Sequence, residues 1–397
     1  MSGLSKARLG RLREALARHV EHGNVPGLVA VVHRRGETHV EALGARGVGM
    51  GPVGRDTIFR IASMSKPVAA VAAMILVEEC RLRLDDPVDE LLPELANRRV
   101  LTRPDASLDD TVPANRPITL RDLLTFTFGY GMFFGPPDQY PIVRASLEQL
   151  GSGMPCPGTT PPPDEWIRRL GTLPLMYQPG ELWQYNTGSY VLSVLVGRAA
   201  GQAFDAFLRE RIFGPLGMRE SAFYVPAEKL DRFTACHSID FETGAEQVYD
   251  AAEGGQWAQP PAFPSGADGL VSTVDDYLAF GRMMLNGGRL GDVRILSRPS
   301  VELITTDHLT PAQKTGGLDP RFFQTHGWGF GLAVRTARDD LEAVGAYGWD
   351  GGLGTVWRND PREELVAVLL TNRAWTSPTP PSVARDFLTS AYQAIED

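Results

Sequence analysis

Hydrophobic positions at helical spacing alternate with short strand-like runs along the 397 residues of the chain. Residues 4–22 carry leucine or valine at intervals that place them on one face, which predicts an amphipathic helix. Residues 28–32 and 38–43 are strand-like segments on either side of an Arg-Gly turn, so they predict an antiparallel hairpin. A long, almost uniformly apolar helix is predicted over residues 63–80.

The middle of the chain is mainly helical by the same criterion, and its end returns to strands. Further helices are predicted at 119–125, 164–170, 189–200, 204–212, 275–285 and 381–395, a turn of helix at 88–92, and strands at 57–61, 329–334, 354–357 and 365–370. Thr119, with Asp122 three residues later, predicts a capping box. Proline, glycine and aromatic residues are dense between 129 and 180, which predicts a structured insertion.

Strands at both ends of the chain and helices between them indicate an α+β fold. Regular βαβ alternation is missing, so we expect one antiparallel sheet that combines N-terminal and C-terminal segments and is flanked by the terminal helices. This arrangement predicts a discontinuous sheet domain of residues 1–60 and 265–397. Residues 61–264 would then form a mainly helical domain that contains the insertion at 129–180.

Composition narrows the class of protein. Charged residues make up 22% and hydrophobic residues 43% of the chain, as in a globular protein. The net charge of −9 is atypical of proteins that bind nucleic acid or anionic membranes. The apolar runs are too short to span a bilayer. Three cysteines without metal-type spacing and the lack of a visible secretory signal favour a cytoplasmic protein.

Ser63 and Lys66 are the first candidate catalytic residues. The chain has only four lysines, and residues three apart on a helix share a face, so Lys66 can reach the Ser63 hydroxyl. A buried lysine with a lowered pKa can activate a serine nucleophile without a metal or organic cofactor. The alternative is coincidence: with four lysines the chance of one such pair is about one in four.

Four segments in order resemble the penicillin-recognising serine hydrolases, which include class C β-lactamases, DD-peptidases and family VIII esterases. They are residues 57–67 (TIFRIASMSKP), 118–127 (ITLRDLLTFT), 179–186 (PGELWQYN) and 269–277 (GLVSTVDDY). The resemblance extends from about residue 10 to residue 390, and it implies the β-lactamase/DD-peptidase fold. It also implies that Ser63 is the nucleophile and Lys66 its base.

The resemblance implies a catalytic role for Tyr185, as the group that relays a proton to the leaving group. The alternative is a tyrosine buried in the core. The β-lactamases of the family carry Tyr-x-Asn at this place, whereas this chain has Tyr185, Asn186 and Thr187. The missing asparagine disfavours a β-lactam substrate.

Two segments compete for the family's third motif. Lys314, Thr315 and Gly316 match the literal Lys-Thr-Gly of β-lactamases, but loop-like residues surround them and they precede the strand that the motif should follow. The segment from Trp349 through Asp350 and Gly351 to Gly352 occupies the expected place. By this register Gly352 N–H would be the second oxyanion donor beside Ser63 N–H. The alternative is a glycine-rich hairpin turn.

These observations predict a serine carboxylesterase that acts on small to medium acyl esters through an acyl-enzyme. Trp349 stands where β-lactamases have lysine, and family VIII esterases often carry tryptophan there. A D-amino-acid peptidase or amidase, a β-lactamase and an acyltransferase remain alternatives on the same fold. A relative that binds ligands without turnover is the alternative from another class. We expect a small-molecule ester as the partner, and no nucleic acid or membrane.

Overall fold

The computed structural model describes residues 3–133, 135–240, 242–316 and 321–397. The strands are β1 Gly27–Arg34, β2 Glu37–Gly44, β3 Phe59–Arg60, β4 Arg99–Leu101, β5 Thr111–Pro113, β6 Cys236–Ile239, β7 Glu246–Asp250, β8 Val271–Ser272, β9 Arg289–Leu290, β10 Val293–Arg294, β11 His326–Trp328, β12 Ala333–Arg335, β13 Tyr347–Gly351, β14 Thr355–Asp360 and β15 Leu365–Thr371. The α-helices are α1 Lys6–Glu21, α2 Ser65–Glu78, α3 Leu120–Thr125, α4 Pro141–Leu150, α5 Pro163–Thr172, α6 Thr187–Ala200, α7 Phe204–Leu208, α8 Gly214–Leu216, α9 Val274–Leu285, α10 Arg298–Ile304, α11 Phe322–Thr325 and α12 Ser382–Gln393.

Seven strands form one antiparallel sheet in the order β11-β12-β13-β14-β15-β1-β2. β1 pairs with β2 in the predicted hairpin and with β15 on its other side, where Val31 lies opposite Val368. Residues from the two ends of the chain therefore share the centre of the sheet. The predicted α+β fold with a combined antiparallel sheet is confirmed.

The two faces of β1 are both buried, and each belongs to a different layer. Leu28, Ala30 and Val32 pack with residues of α1 and α12 in one hydrophobic cluster. Val29 and Val31 point the other way, into a larger cluster that includes α2, α6 and α9. This alternation follows from the two-residue period of a strand. The predicted boundaries of the two domains stay a prediction.

The helical part of the chain holds the candidate nucleophile. α2 is buried along almost its whole length and packs against α6. α3 begins with the predicted capping box, in which Thr119 and Asp122 bond each other's backbone N–H groups. In the described part of the chain, no single helix is long and apolar enough to cross a membrane. One pair, Thr187–Ala200 with Phe204–Leu216, passes that test jointly but is bent by 78°.

Two predicted elements, at 329–334 and at 204–212, are wrong in detail. The strand expected at 329–334 is mostly the turn between β11 and β12, where Gly331 adopts a φ of 69°, and only residues 333–334 belong to a strand. The helical turn expected at 88–92 is present, since Leu91 N–H and Leu92 N–H both bond Val88 O, and a 3₁₀ turn at Pro93–Leu95 follows it. The helix expected at 204–212 is regular only to Leu208 and then widens to a π-helix. Within the insertion, α4 was not predicted.

Candidate active site

Ser63 lies in a single 3₁₀ turn, Ala62–Met64, between β3 and α2. Ala62 has a φ of 43°, a left-handed value that is unfavourable for a residue with a Cβ. Such strain is stable only where the surroundings hold the backbone in place. The predicted start of the long helix at residue 63 is therefore shifted: Ser63 precedes the α-helix and is exposed to the cavity beside it.

Three buried hydroxyl groups hold this turn by its carbonyl oxygens. Ser65 Oγ donates to Ala62 O at 2.7 Å, and Tyr277 Oη donates to Met64 O at 2.8 Å. Thr355 Oγ1 donates to Ile61 O at 3.0 Å. The donors belong to α2, α9 and β14, so three separate elements fix the backbone on both sides of Ser63. We call these three side chains the hydroxyl clamp.

Lys66 contacts the Ser63 hydroxyl from the first turn of α2. Its Nζ lies 2.8 Å from Ser63 Oγ and 2.7 Å from the carbonyl oxygen of Ala267, and the side chain is fully buried. Burial lowers the pKa of Lys66 to about 7, against the opposing effect of the nearby Asp268 carboxylate. A lysine with this pKa is partly neutral near pH 7 and can accept a proton.

Tyr185 reaches the same pair from the segment before α6. Its ring centroid lies 4.7 Å from Lys66 Nζ, and it lines the same cavity as Ser63. Asn186 has φ 84° and ψ −59°, and Thr187 N–H bonds Tyr185 O at 3.2 Å, which is the geometry of a γ-turn. Burial raises the pKa of Tyr185 well above its ordinary value, so the phenol keeps its proton at neutral pH.

Trp349, on β13, forms a hydrogen bond with the Tyr185 hydroxyl. Its indole Nε1 donates to Tyr185 Oη at 2.7 Å. The phenol oxygen is thus an acceptor toward Trp349, which leaves its own proton for another acceptor. Phe126, Trp183 and Trp328 surround the Tyr185 ring, with centroids 5.7 to 6.3 Å away.

The glycines after Trp349 bring β13 against the turn that carries Ser63. A Cβ on Gly351 would lie 2.2 Å from Ile61 O, so only glycine allows this approach. Gly352 lines the same cavity as Ser63, and a Cβ there would meet open space. Asp350 also lines the cavity, but its carboxylate accepts two hydrogen bonds from Arg358, at 2.5 and 2.9 Å.

Lys314 lies elsewhere. It belongs to a 3₁₀ turn, Gln313–Thr315, and its Nζ pairs with Asp307 Oδ2 at 2.5 Å. In the described chain, the cavity beside Ser63 is lined by the Trp349 segment and not by Lys314. The Trp349 segment thus lies beside Ser63, where the sequence register placed it, and the Lys314 segment lies away from Ser63.

The cavity has a volume of about 650 Å³. Its walls come from the insertion, from residues 321–326 and from residues 375–380, and they are mainly apolar. Met132, Met154, Phe322 and Trp375 contribute large side chains. A cavity of this size and lining is typical of a site for a small organic molecule.

Sequence reasoning missed Asp268, a buried carboxyl group on the cavity wall. Its Oδ1 accepts from Ser265 Oγ at 3.0 Å, and its Oδ2 accepts from Tyr190 Oη at 2.6 Å. Burial raises the pKa of Asp268. The residue directly precedes the segment 269–277 that carries the family resemblance, but a single aspartate in a loop has no spacing that distinguishes it.

Comparison with known proteins agrees with this architecture. The sequence model of the Beta-lactamase family matches residues 12–386. Protein Rv1367c of Mycobacterium tuberculosis is 37% identical, over 88% of this chain and 86% of its own length. Esterase EstB of Burkholderia gladioli is 31% identical, over 88% of this chain and 86% of its own length.

Among solved structures, EstCE1, described as a hydrolase with promiscuous acyltransferase activity, has a TM-score of 0.79 and 24% identity, and the match covers 98% of this chain and 99% of that one. This likeness concerns the fold. The family resemblance inferred from the four sequence segments is confirmed by the match over nearly the whole chain: the protein belongs to the Beta-lactamase family.

Proposed function

We propose that the protein is a serine esterase that hydrolyses carboxylic esters with small to medium acyl groups through an acyl-enzyme on Ser63. The observation that carries the proposal is the contact of Lys66 Nζ with Ser63 Oγ at 2.8 Å, inside a large apolar cavity. The relative EstB, at 31% identity, bears the name of an esterase.

In the first step, neutral Lys66 accepts the Ser63 proton as Oγ forms a bond to the ester carbonyl carbon. The carbonyl electron pair moves to oxygen, and Ser63 N–H and Gly352 N–H stabilise the resulting oxyanion. The burial that lowers the pKa of Lys66 to about 7 supports its role as the base.

In the second step, the carbonyl re-forms and the alcohol leaves with the proton of the Tyr185 phenol. The Lys66 ammonium returns a proton to Tyr185. The raised pKa of Tyr185 supports this division of roles, because a phenol that keeps its proton is an acid and not a base at neutral pH. Water then attacks the acyl-enzyme by the reverse sequence of transfers, releasing the acid and restoring Ser63.

Trp349 favours esters over penicillin-type substrates. An indole at this position supplies no positive charge for a substrate carboxylate, and its N–H is engaged by Tyr185. Acyl transfer to an alcohol is the second candidate activity, because the cavity of about 650 Å³ exceeds the space needed by a small acyl group. The acyltransferase activity described for EstCE1, which shares the fold, points in the same direction.

The test compares p-nitrophenyl acetate, butanoate and octanoate with the β-lactam nitrocefin, using the wild type and Ser63→Ala. We expect ester turnover that Ser63→Ala abolishes, and little turnover of nitrocefin. Strong nitrocefin turnover would favour a β-lactamase, and ester turnover that survives in Ser63→Ala would exclude Ser63 as the nucleophile. Added alcohol that diverts the acyl group to a new ester would identify the transferase activity.

The alternative that the protein binds ligands without turnover is tested by covalent labelling of Ser63. A fluorophosphonate labels an activated serine covalently, so the wild type should be labelled at Ser63 and Lys66→Ala should be labelled far more slowly. A folded wild type without labelling would indicate that the site only binds ligands.

A further inference from the structure

Asp268 is a buried acid for which the described chain supplies no ion-pair partner. The residue is only 6% exposed, and the part that remains open faces the reaction cavity. No lysine, arginine or histidine nitrogen among the described residues comes within ion-pair distance of it. Its hydrogen-bond donors are two neutral hydroxyls, those of Tyr190 and Ser265.

These donors fill only part of the hydrogen-bonding capacity of the carboxylate. An ionised carboxylate offers about four acceptor positions, and the two hydroxyls fill one on each oxygen. A charge removed from water is costly unless a partner of opposite charge is bound to it. Lys66 acts on Asp268 only through space, because its Nζ is held by Ser63 Oγ and by the carbonyl oxygen of Ala267.

The hydroxyl donors fix the carboxyl group in one orientation. Tyr190 is itself held by a stacked contact with Trp166 of α5, at a centroid distance of 5.1 Å and an interplanar angle of 17°. The carboxyl group therefore has a fixed orientation in a residue that lines the cavity. Rigid placement of a charged group before binding is what specific recognition requires.

We propose that Asp268 binds a protonated amine of the substrate, so that the preferred esters are those that carry an ammonium group. This inference rests on the proposed esterase function and names its substrate class. The remaining cavity wall, with Met132, Met154 and Trp375, suits the hydrocarbon part of such a molecule. The aromatic rings near Ser63 add a favourable environment for a cation.

The amine could belong to the acyl part or to the alcohol part of the ester, and two pairs of isosteric substrates separate these cases. For the acyl part, p-nitrophenyl 3-aminopropanoate is compared with p-nitrophenyl butanoate. For the alcohol part, 2-(dimethylamino)ethyl butanoate is compared with 3-methylbutyl butanoate. Within each pair the charged substrate differs from the neutral one by replacement of a carbon group with a protonated nitrogen.

The measured quantity is the ratio of kcat/KM for the charged substrate to that for its neutral partner. We expect a ratio of about ten or more for one of the two pairs in the wild type, since a charge-assisted hydrogen bond to a buried carboxylate contributes this much. In Asp268→Asn the ratio should fall to about one or below. Asp292→Asn, which removes an exposed carboxylate in the turn between β9 and β10, should retain the wild-type ratio.

Ratios of about one for both pairs in a wild type that hydrolyses the neutral esters would overturn the inference while leaving the esterase proposal intact. An ammonium preference that persists in Asp268→Asn would equally overturn it. If Asp268→Asn does not fold, Tyr190→Phe provides the second variant, because it removes the hydroxyl that donates to Asp268 Oδ2. The ratio of kcat/KM for the charged substrate to that for the neutral one should then change in the substrate pair for which the wild type prefers the charged ester. Failure to hydrolyse any ester would refute the proposed function itself.

Discussion

At the scale of single residues, the candidate site depends on opposite pKa shifts in two neighbours that are both buried. Burial disfavours the ammonium form of Lys66 and the phenolate form of Tyr185, so near pH 7 part of the lysine is neutral and able to accept a proton while the tyrosine keeps its own. The same environment thus supports the different roles that we propose for two groups that lie 4.7 Å apart, measured from Lys66 Nζ to the ring centroid.

The pH dependence of acylation follows from the lowered pKa of Lys66. The neutral amine is the active form, so kcat/KM for p-nitrophenyl butanoate should rise with pH and level off above about 7. Below that value the rate should fall by about ten-fold per pH unit. Circular dichroism at each pH controls for unfolding. A rate that still rises steeply between pH 9 and 10 would show that Lys66 keeps its ordinary pKa.

Trp349→Phe tests whether the indole N–H positions Tyr185. The ring is kept while the donor to Tyr185 Oη is lost, so we expect kcat to fall by roughly ten-fold with KM little changed. The loss should be larger for ethyl butanoate than for p-nitrophenyl butanoate, because an alkoxide needs a proton in order to leave and p-nitrophenolate does not. Equal losses for both esters would argue against this role.

At the scale of elements, the turn that carries Ser63 is held by parts of the chain that are distant in sequence. α9 contributes Tyr277 and β14 contributes Thr355 to the hydroxyl clamp. Gly351 lets β13 approach the same turn closely. The positive φ of Ala62 is thus supported from several sides, which places Ser63 on a rigid backbone.

Tyr277→Phe and Thr355→Val each remove one donor of the hydroxyl clamp. We expect each to lower the free energy of unfolding by about 1–3 kcal/mol, because a buried carbonyl loses its partner. Fluorophosphonate labelling of Ser63 should slow by roughly ten-fold, whereas the KM of the ester should change little. Thr355→Ser keeps the hydroxyl and should restore labelling. A folded Thr355→Val that is labelled at the wild-type rate would contradict this role.

At the scale of the whole molecule, the two ends of the chain contribute to the same sheet and to the same hydrophobic layer. β1 lies between β2 and β15, and α1 packs on α12 across their outer face. The other face of the sheet joins the large cluster that extends into the helices beneath the site. The cavity is therefore bordered by segments from both the sheet and the helical part.

Phe387→Ala tests whether this outer layer stabilises the fold without acting on the chemistry. Phe387 is fully buried between α12 and the sheet, so we expect a loss of about 3–5 kcal/mol in the free energy of unfolding. Chemical denaturation measures this loss. At a temperature where the variant remains folded, kcat per labelled Ser63 should equal that of the wild type. A reduced kcat would show that the outer layer also affects the site.

Local patterns in the sequence determined several structural elements of this protein and the family to which it belongs. The N-terminal hairpin, the capping box of α3 and the pairing of Ser63 with Lys66 join residues three to 17 positions apart. Their geometry follows from the strand period, the helix period and local hydrogen bonds. Motifs in order were sufficient to recognise the family. That Trp349 takes the place of the family's lysine stays a prediction from the resemblance.

Only the tertiary structure decided how those residues act. The hydrogen bond from Trp349 to Tyr185 spans 164 positions, and the contact of Lys66 with Ala267 spans 201. The lowered pKa of Lys66 arises from burial by many elements, and the buried Asp268 has no sequence pattern. Desolvation and long-range contacts depend on which surfaces meet after folding, and no local period along the chain encodes them.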